Sequence, residues 1–364
     1  MRRSFSLLVL LAASQAAPTD GSDKDLVRPL VEKKLITARF EKDGKSDDIL
    51  IIRLYTPEVR PLLVEFRKLR GFVQLQLGGS KLKDDDLELL KELKGLKGLS
   101  FYDTRITDSG VRNLSPLQAI WQLDLSFTGV TDKAAPTLAG LGALTSLSLE
   151  ATKFSDAGVD ALSKKDPGRF AHLGLSSTQV TGKGLERFSG LTSLLLDRTK
   201  LNDEGMKSLG RLRDLSWLYI GGTDVSDAGL PHLAGLERIE KLSLGGTKIS
   251  GADLRALGKM SQLSYLDLTG LDVGDEAILN IEHLQRLTTL GLSDTKITDK
   301  SLKSLAKLKQ LKGLAVTRTQ VSDAGLADIA AMPSLKKVYL SGTLISKEGV
   351  ARLQAIRPRL EISY

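Results

Sequence analysis

Three histidines, a recurring aspartate and a few aromatic residues are the positions in this 364-residue chain with chemical capacity. A zinc centre needs several ligands converging from neighbouring elements. His172, His232 and His283 have no second ligand at helix or strand spacing, and the chain has no cysteine, so no metal is expected. No Gly-x-Ser-x-Gly elbow, phosphate loop or dinucleotide fingerprint occurs. The pairs Gly221-Gly222 and Gly245-Gly246 resemble a glycine-rich loop only in composition, because each leads out of a strand. The chain therefore reads as a protein without catalytic residues or cofactor, not as an enzyme.

Asp108, Asp132, Asp156, Asp203, Asp227, Asp299 and Asp323 each follow a Thr, Ser or Asn. A row of carboxylates at one height suggests calcium. The same residues open helices, where a hydroxyl caps free N–H groups and a carboxylate meets the positive end of the dipole. That reading explains them without an ion. A threonine row, including Thr104, Thr128, Thr223 and Thr295, is expected to bond turn backbone from repeat to repeat.

The candidate ligand-binding residues are Leu195, Trp217, Tyr219 and Tyr265, with Asp197, Arg198, Lys241 and Asp267 around them. Trp and Tyr join a large apolar face to a polar tip and recur as anchors of interfaces. Most equivalent positions elsewhere are small: Gly98, Ser100, Ser146, Ser148, Gly174, Ser243, Gly291, Gly313 and Ala315. The competing explanation is that the rings cover packing defects beside irregular repeats.

A repeated unit must position these side chains. In the stretch Leu215–Leu236, Leu218 and Ile220 alternate with Trp217, Tyr219 and Gly221, the two-residue period of a strand with one buried face. Gly221, Gly222 and Thr223 make a turn and Val225 points back inside. Ser226 and Asp227 open a short helix carrying Leu230, Leu233 and Leu236. One such unit cannot bury its apolar side alone, so it must stack on copies. A 24-residue period carries Leu218 to Leu242, Leu266, Leu290 and Leu314, and pairs from Leu75/Leu77 to Val338/Leu340 fill the same positions. About twelve units follow, within the leucine-rich-repeat range.

These residues resemble the secreted leucine-rich-repeat proteins of bacteria, particularly planctomycetes, whose repeats read Leu-x-Leu-x-x-Thr-x-Val-Thr-Asp-x-Gly-Leu. The resemblance implies an α/β solenoid: a concave parallel β-sheet, short convex helices and an N-terminal hairpin and helix cap. It covers about four fifths of the chain and says little of function, because the scaffold serves many partners.

Residues 1–17 read as a signal peptide, with Arg2 and Arg3, the apolar run Phe5–Ala13 and small residues at Ser14–Ala17. That run is too short to span a bilayer. Residues 18–70 read as a linker to Asp25, an amphipathic segment interrupted by Pro29, a hairpin over Leu35–Tyr55 turning at Asp43-Gly44, and a helix opened by Thr56-Pro57. Residues 71–364 are the array. Ser163–Arg169 lengthens one repeat and the next is short. Gly182 and Gly251 replace the cap Asp, and Ile356, Leu360, Ile362 and Tyr364 are expected to form a last strand.

The net charge is +8. Lysines crowd between Lys296 and Lys312 without the aromatic platforms that single-stranded nucleic acid requires. Nucleic acid is disfavoured as a partner. The reading is an exported, periplasmic or extracellular, monomeric scaffold that binds another protein on its concave face. The rivals are carbohydrate or cell-wall binding through the central aromatic patch, and a structural spacer.

Overall fold

The computed structural model describes residues 21–42, 48–54, 58–69, 71, 73–93, 95–251 and 254–364. The signal-peptide reading, the Asp43-Gly44 turn and Thr56-Pro57 lie outside these residues. Helix α1 (Gly21–Glu32) leads into β1 (Ile36–Lys42), which pairs antiparallel with β2 (Asp48–Leu54). Helix α2 (Arg60–Phe66) follows. From β2 onward every strand lies parallel to its neighbour, in sequence order. The strands are β3 (Val73–Gln76), β4 (Leu96–Ser100), β5 (Gln122–Asp124), β6 (Ser146–Ser148), β7 (His172–Gly174) and β8 (Ser193–Leu195). They continue as β9 (Trp217–Tyr219), β10 (Lys241–Ser243), β11 (Tyr265–Asp267), β12 (Thr289–Gly291), β13 (Gly313–Ala315), β14 (Lys337–Tyr339) and β15 (Glu361–Ser363). Short helical segments on the convex side return the chain from one strand to the next.

The two-residue period decides which face is core. Leu218, Ile220, Leu242, Leu244, Leu266 and Leu268 are wholly buried, whereas their neighbours Trp217, Tyr219 and Tyr265 are only partly so. The chain has few aromatics, yet Phe66, Phe101, Phe154, Phe170 and Phe188 are among its largest fully buried side chains. Phe170 and Phe188 meet edge to face, 5.7 Å between centroids, where the long repeat abuts the short one. The added residues there also supply Arg169. Its guanidinium donates to the Ala139, Leu144 and Lys165 carbonyls and covers the end of the preceding helical turn.

The aspartates open the helices as expected, but they and not the threonines bond from repeat to repeat. Thr104, Thr128, Thr223 and Thr295 donate to the carbonyl three residues earlier, at 2.6–2.7 Å, so each closes its own turn. The aspartates do the joining. Asp132 accepts the Ser155 N–H at 2.7 Å and the Ser155 hydroxyl at 2.6 Å, one repeat along. Asp84, Asp108, Asp156, Asp203, Asp227, Asp275, Asp299 and Asp323 bind the next cap in the same way. The Ser or Thr thus gives its proton to the preceding repeat and caps its own helix with its lone pair.

This staple also explains the glycine of the consensus. A methyl group on Gly110, Gly158, Gly325 or Gly349 would lie 2.2–2.5 Å from the stapling carboxylate. Where Gly251 removes the carboxylate, the next cap is Gly274 with no side-chain bond, and Ala277 fills the glycine position. The pairing is not strict, since Ala134 and Ser301 take the glycine position beside the stapling Asp108 and Asp275, and Gly205 is kept where Gly182 removes the carboxylate.

Three expectations need correction. The linker reading to Asp25 fails because α1 begins at Gly21, and Asp23, 1% exposed, accepts the Gly71 N–H at 2.8 Å. Leu230–Gly235 is a 3-10 turn with Pro231 in its first turn. Ile356 ends a helix, Lys347–Ile356, and does not join the last strand, while Tyr364 donates its hydroxyl to the Ile345 carbonyl beyond that strand.

Candidate binding surface on the concave sheet

Strand register puts the named side chains in rows. Ser193, Trp217, Lys241 and Tyr265 are successive partners, as are Leu195, Tyr219, Ser243 and Asp267. Lys241 lies between the two large rings of its row and places its Nζ 3.8 Å from the Trp217 ring centroid. Diagonally, the Tyr219 and Tyr265 rings approach to 6.3 Å between centroids at 33°. Ser243 is small enough to let them meet, and at 7% exposure it is covered by its neighbours. Cation and rings therefore form two coupled pairs on three adjacent strands.

The carboxylates stand on either side. Asp197 accepts the Gly221 N–H at 2.7 Å. Asp267 accepts the Thr269 N–H at 3.0 Å, and its second oxygen lies 3.4 Å from the Ser243 hydroxyl. Burial pushes the Asp197 carboxyl above its ordinary range; the Gly221 N–H and Arg198 pull it back, and the charge of Asp267 adds to the rise. Burial likewise raises both tyrosine hydroxyls, helped by the two aspartates, with Tyr265 pushed up to about 12. Arg198 is exposed and sits in the left-handed region, φ 56°.

Sequence reasoning weighed His172 but passed over Asp124, Glu150 and Ser176. Glu150 occupies in its repeat the position that Asp197 occupies two strands on, so stacking the repeats would have found it. Burial raises its carboxyl, and Asp124 and Asp197 raise it further. On the N-terminal side the polar residues satisfy one another: Ser100 donates to Asp124, and Ser126 bonds Ser148 at 2.7 Å. Ser176 repeats the position of Ser126, but Leu195 stands where its partner would be. Its hydroxyl, like Nδ1 of His172, is buried without a partner. His172 is half-buried and burial lowers its pKa. The other histidines lie on the helical side, where His283 bonds the Gly258 carbonyl across one repeat at 3.1 Å.

Comparison with known proteins fits this geometry. A family model described as leucine-rich repeat matches residues 283–306. The fold is a leucine-rich-repeat solenoid. An internalin of Listeria monocytogenes is similar over 83% of this chain and 88% of its own, at TM-score 0.62 and 22% identity. A leucine-rich-repeat protein of Leptospira interrogans is similar over 82% and 91%, at TM-score 0.54 and 19% identity. At such identities the likeness speaks for the fold alone. No curated protein matches the sequence of this solenoid. Among its described residues no helix is long and apolar enough to cross a membrane.

Proposed function

We propose that the protein is an exported, non-catalytic scaffold whose concave sheet holds another protein over Leu195, Trp217, Tyr219 and Tyr265, rimmed by Asp197, Arg198, Lys241 and Asp267. One observation carries the reading: the paired rings of Tyr219 and Tyr265 and the Lys241–Trp217 pair lie together on three neighbouring strands, whereas elsewhere on the face large side chains are dispersed, as in the separate Lys337–Tyr339 pair on β14. Leu195 adds apolar surface at the cost of the Ser176 hydrogen bond, a local rule broken where binding would repay it. Aromatic anchors with charges of both signs at their edge have the composition of an interface core and rim.

Export is supported by the pattern of residues 1–17, which is cleaved near Ala17 or Pro18 in this reading. N-terminal sequencing of the native protein should find that start, and an intact Met1 in the cytoplasm refutes export. Residues 18–70 act as the N-terminal cap, and the molecule works as a monomer.

The deciding experiment is capture of partners by the mature chain beside Trp217→Ala/Tyr219→Ala. Loss of a partner by about 2 kcal/mol or more, with little change in melting temperature, is the expected result. A partner retained by the double variant would move the site elsewhere. Binding to a glycan array that depends on the same rings would favour the carbohydrate alternative.

A further inference from the structure

We propose that the concave centre receives the guanidinium of an arginine, carried by a basic segment of the partner protein and held between Asp197 and Asp267 against the Tyr219 and Tyr265 rings. This rests on the concave-scaffold reading above and names the chemistry that the site would take.

Charge is the first argument. The chain carries +8 overall, yet Asp124, Glu150, Asp197 and Asp267 gather on this face with only Arg198 and Lys241 among them. A basic molecule with an acidic centre presents that centre to a cation and repels the cation elsewhere.

Shape is the second. Gly221 and Gly245 lie on consecutive repeats and form a floor without side chains. A methyl group on Gly221 would meet Asp197 Oδ1 at 3.0 Å, and one on Gly245 would meet Asp267 Oδ2 at 3.1 Å. The two carboxylates therefore overhang one bare strip from opposite sides, beside the tyrosine pair. A planar, weakly hydrated guanidinium with donors along its edges can stack on a ring while bonding carboxylates; an ammonium makes poorer use of the same shape.

The third argument is a precedent within the sheet itself. Lys241 supplies it, since its own cation rests on the Trp217 face. That contact also occupies the ring a sugar would stack on. The surplus of carboxylates disfavours an acidic glycan.

Titration calorimetry on the full chain provides the test. The probes are a capped peptide of alternating glycine and arginine, the same peptide with neutral citrulline, and a neutral β-linked glucan hexasaccharide. The arginine peptide should bind at least about tenfold more tightly than the citrulline peptide. Asp197→Asn/Asp267→Asn should remove that advantage, and added salt should weaken it. Asparagine retains an oxygen for the Gly221 N–H; should the double variant nevertheless not fold, the citrulline comparison on the unaltered chain decides alone. Equal binding of both peptides, no binding of either, or an arginine preference that survives the double variant overturns the assignment. So does hexasaccharide binding indifferent to the two substitutions. None of these results touches the scaffold reading, which fails only if a partner is retained after Trp217 and Tyr219 are removed.

Discussion

Tyr265 shows what the concave face asks of a single side chain. Its hydroxyl is pushed up to about 12 by burial, by Asp267 and by the neighbouring Tyr219 and Asp197. In the unfolded chain it would lose its proton near pH ~10. The folded state holds that proton longer, so its contribution to stability is intact below pH ~10 and falls as pH rises toward 12. Denaturation monitored together with phenolate absorbance should show stability declining across that window, and less steeply in Tyr265→Phe. Glu150 and Asp197 are also raised, chiefly by burial. At neutral pH each holds a charge that the fold disfavours. Glu150→Gln and Asp197→Asn should therefore melt at the same or a higher temperature at pH 7, with the difference shrinking as the pH falls through the carboxylate range. A clear drop in either melting temperature would contradict this account. Residues that oppose stability are common where function sets the composition.

The stapled helix start is the unit at the scale of the element. Asp84 accepts the Thr107 N–H at 2.9 Å and its hydroxyl at 2.5 Å, and a methyl group on Gly110 would lie 2.4 Å from the same carboxylate. Asp84→Ala should cost about 1–3 kcal/mol, because it strips a charge-assisted partner from a backbone donor. Gly110→Ala should cost a similar amount, roughly 1–3 kcal/mol, through overlap. In the double variant the overlap has gone, so the combined loss should fall short of the sum by about 0.5–3 kcal/mol. Urea denaturation of the four proteins measures that coupling, and strict additivity would separate the two residues. The chain has made the double change at Gly251, Gly274 and Ala277, and it also keeps the staple with Ala134 or Ser301 in the glycine position. In Asp323 the Ser346 hydroxyl and N–H hold the carboxyl below its ordinary range. This contribution is present above the unfolded carboxylate value and lost as pH falls through the folded one.

Across the whole molecule, one ladder of parallel strands sets the register of everything above it. Leu244 is wholly buried and Ser243, beside it, faces Asp267. Leu244→Asp should cost several kcal/mol, because an unpaired charge enters the core. Ser243→Ala should cost little, while Ser243→Asp should be costly for a different reason, the carboxylate it would meet at Asp267. Chemical denaturation of the three variants checks the register: damage from Ser243→Ala equal to that from Leu244→Asp would place the wrong row inside. The two ends are closed by different means. At the start, β1 turns antiparallel against β2 and Asp23 ties α1 to Gly71. At the finish, Arg357 donates to the Ala330, Met332 and Leu335 carbonyls, the task Arg169 performs within the array.

The sequence alone determined the solenoid, its strand positions and the row of side chains on each face, because a period of two followed by a helical period recurs with its turn and cap residues in place. It named Trp217, Tyr219, Tyr265, Asp197 and Asp267 for the same reason: position within the repeat decides direction. It could not show that the consensus Asp and Gly belong to neighbouring repeats, since that bond closes only after stacking. Nor did it show Lys241 resting on Trp217, the glycine floor beneath the carboxylates, or Ser176 left without a partner by Leu195. Those facts depend on distances between residues about 24 positions apart, and only the packing of one repeat on the next fixes them.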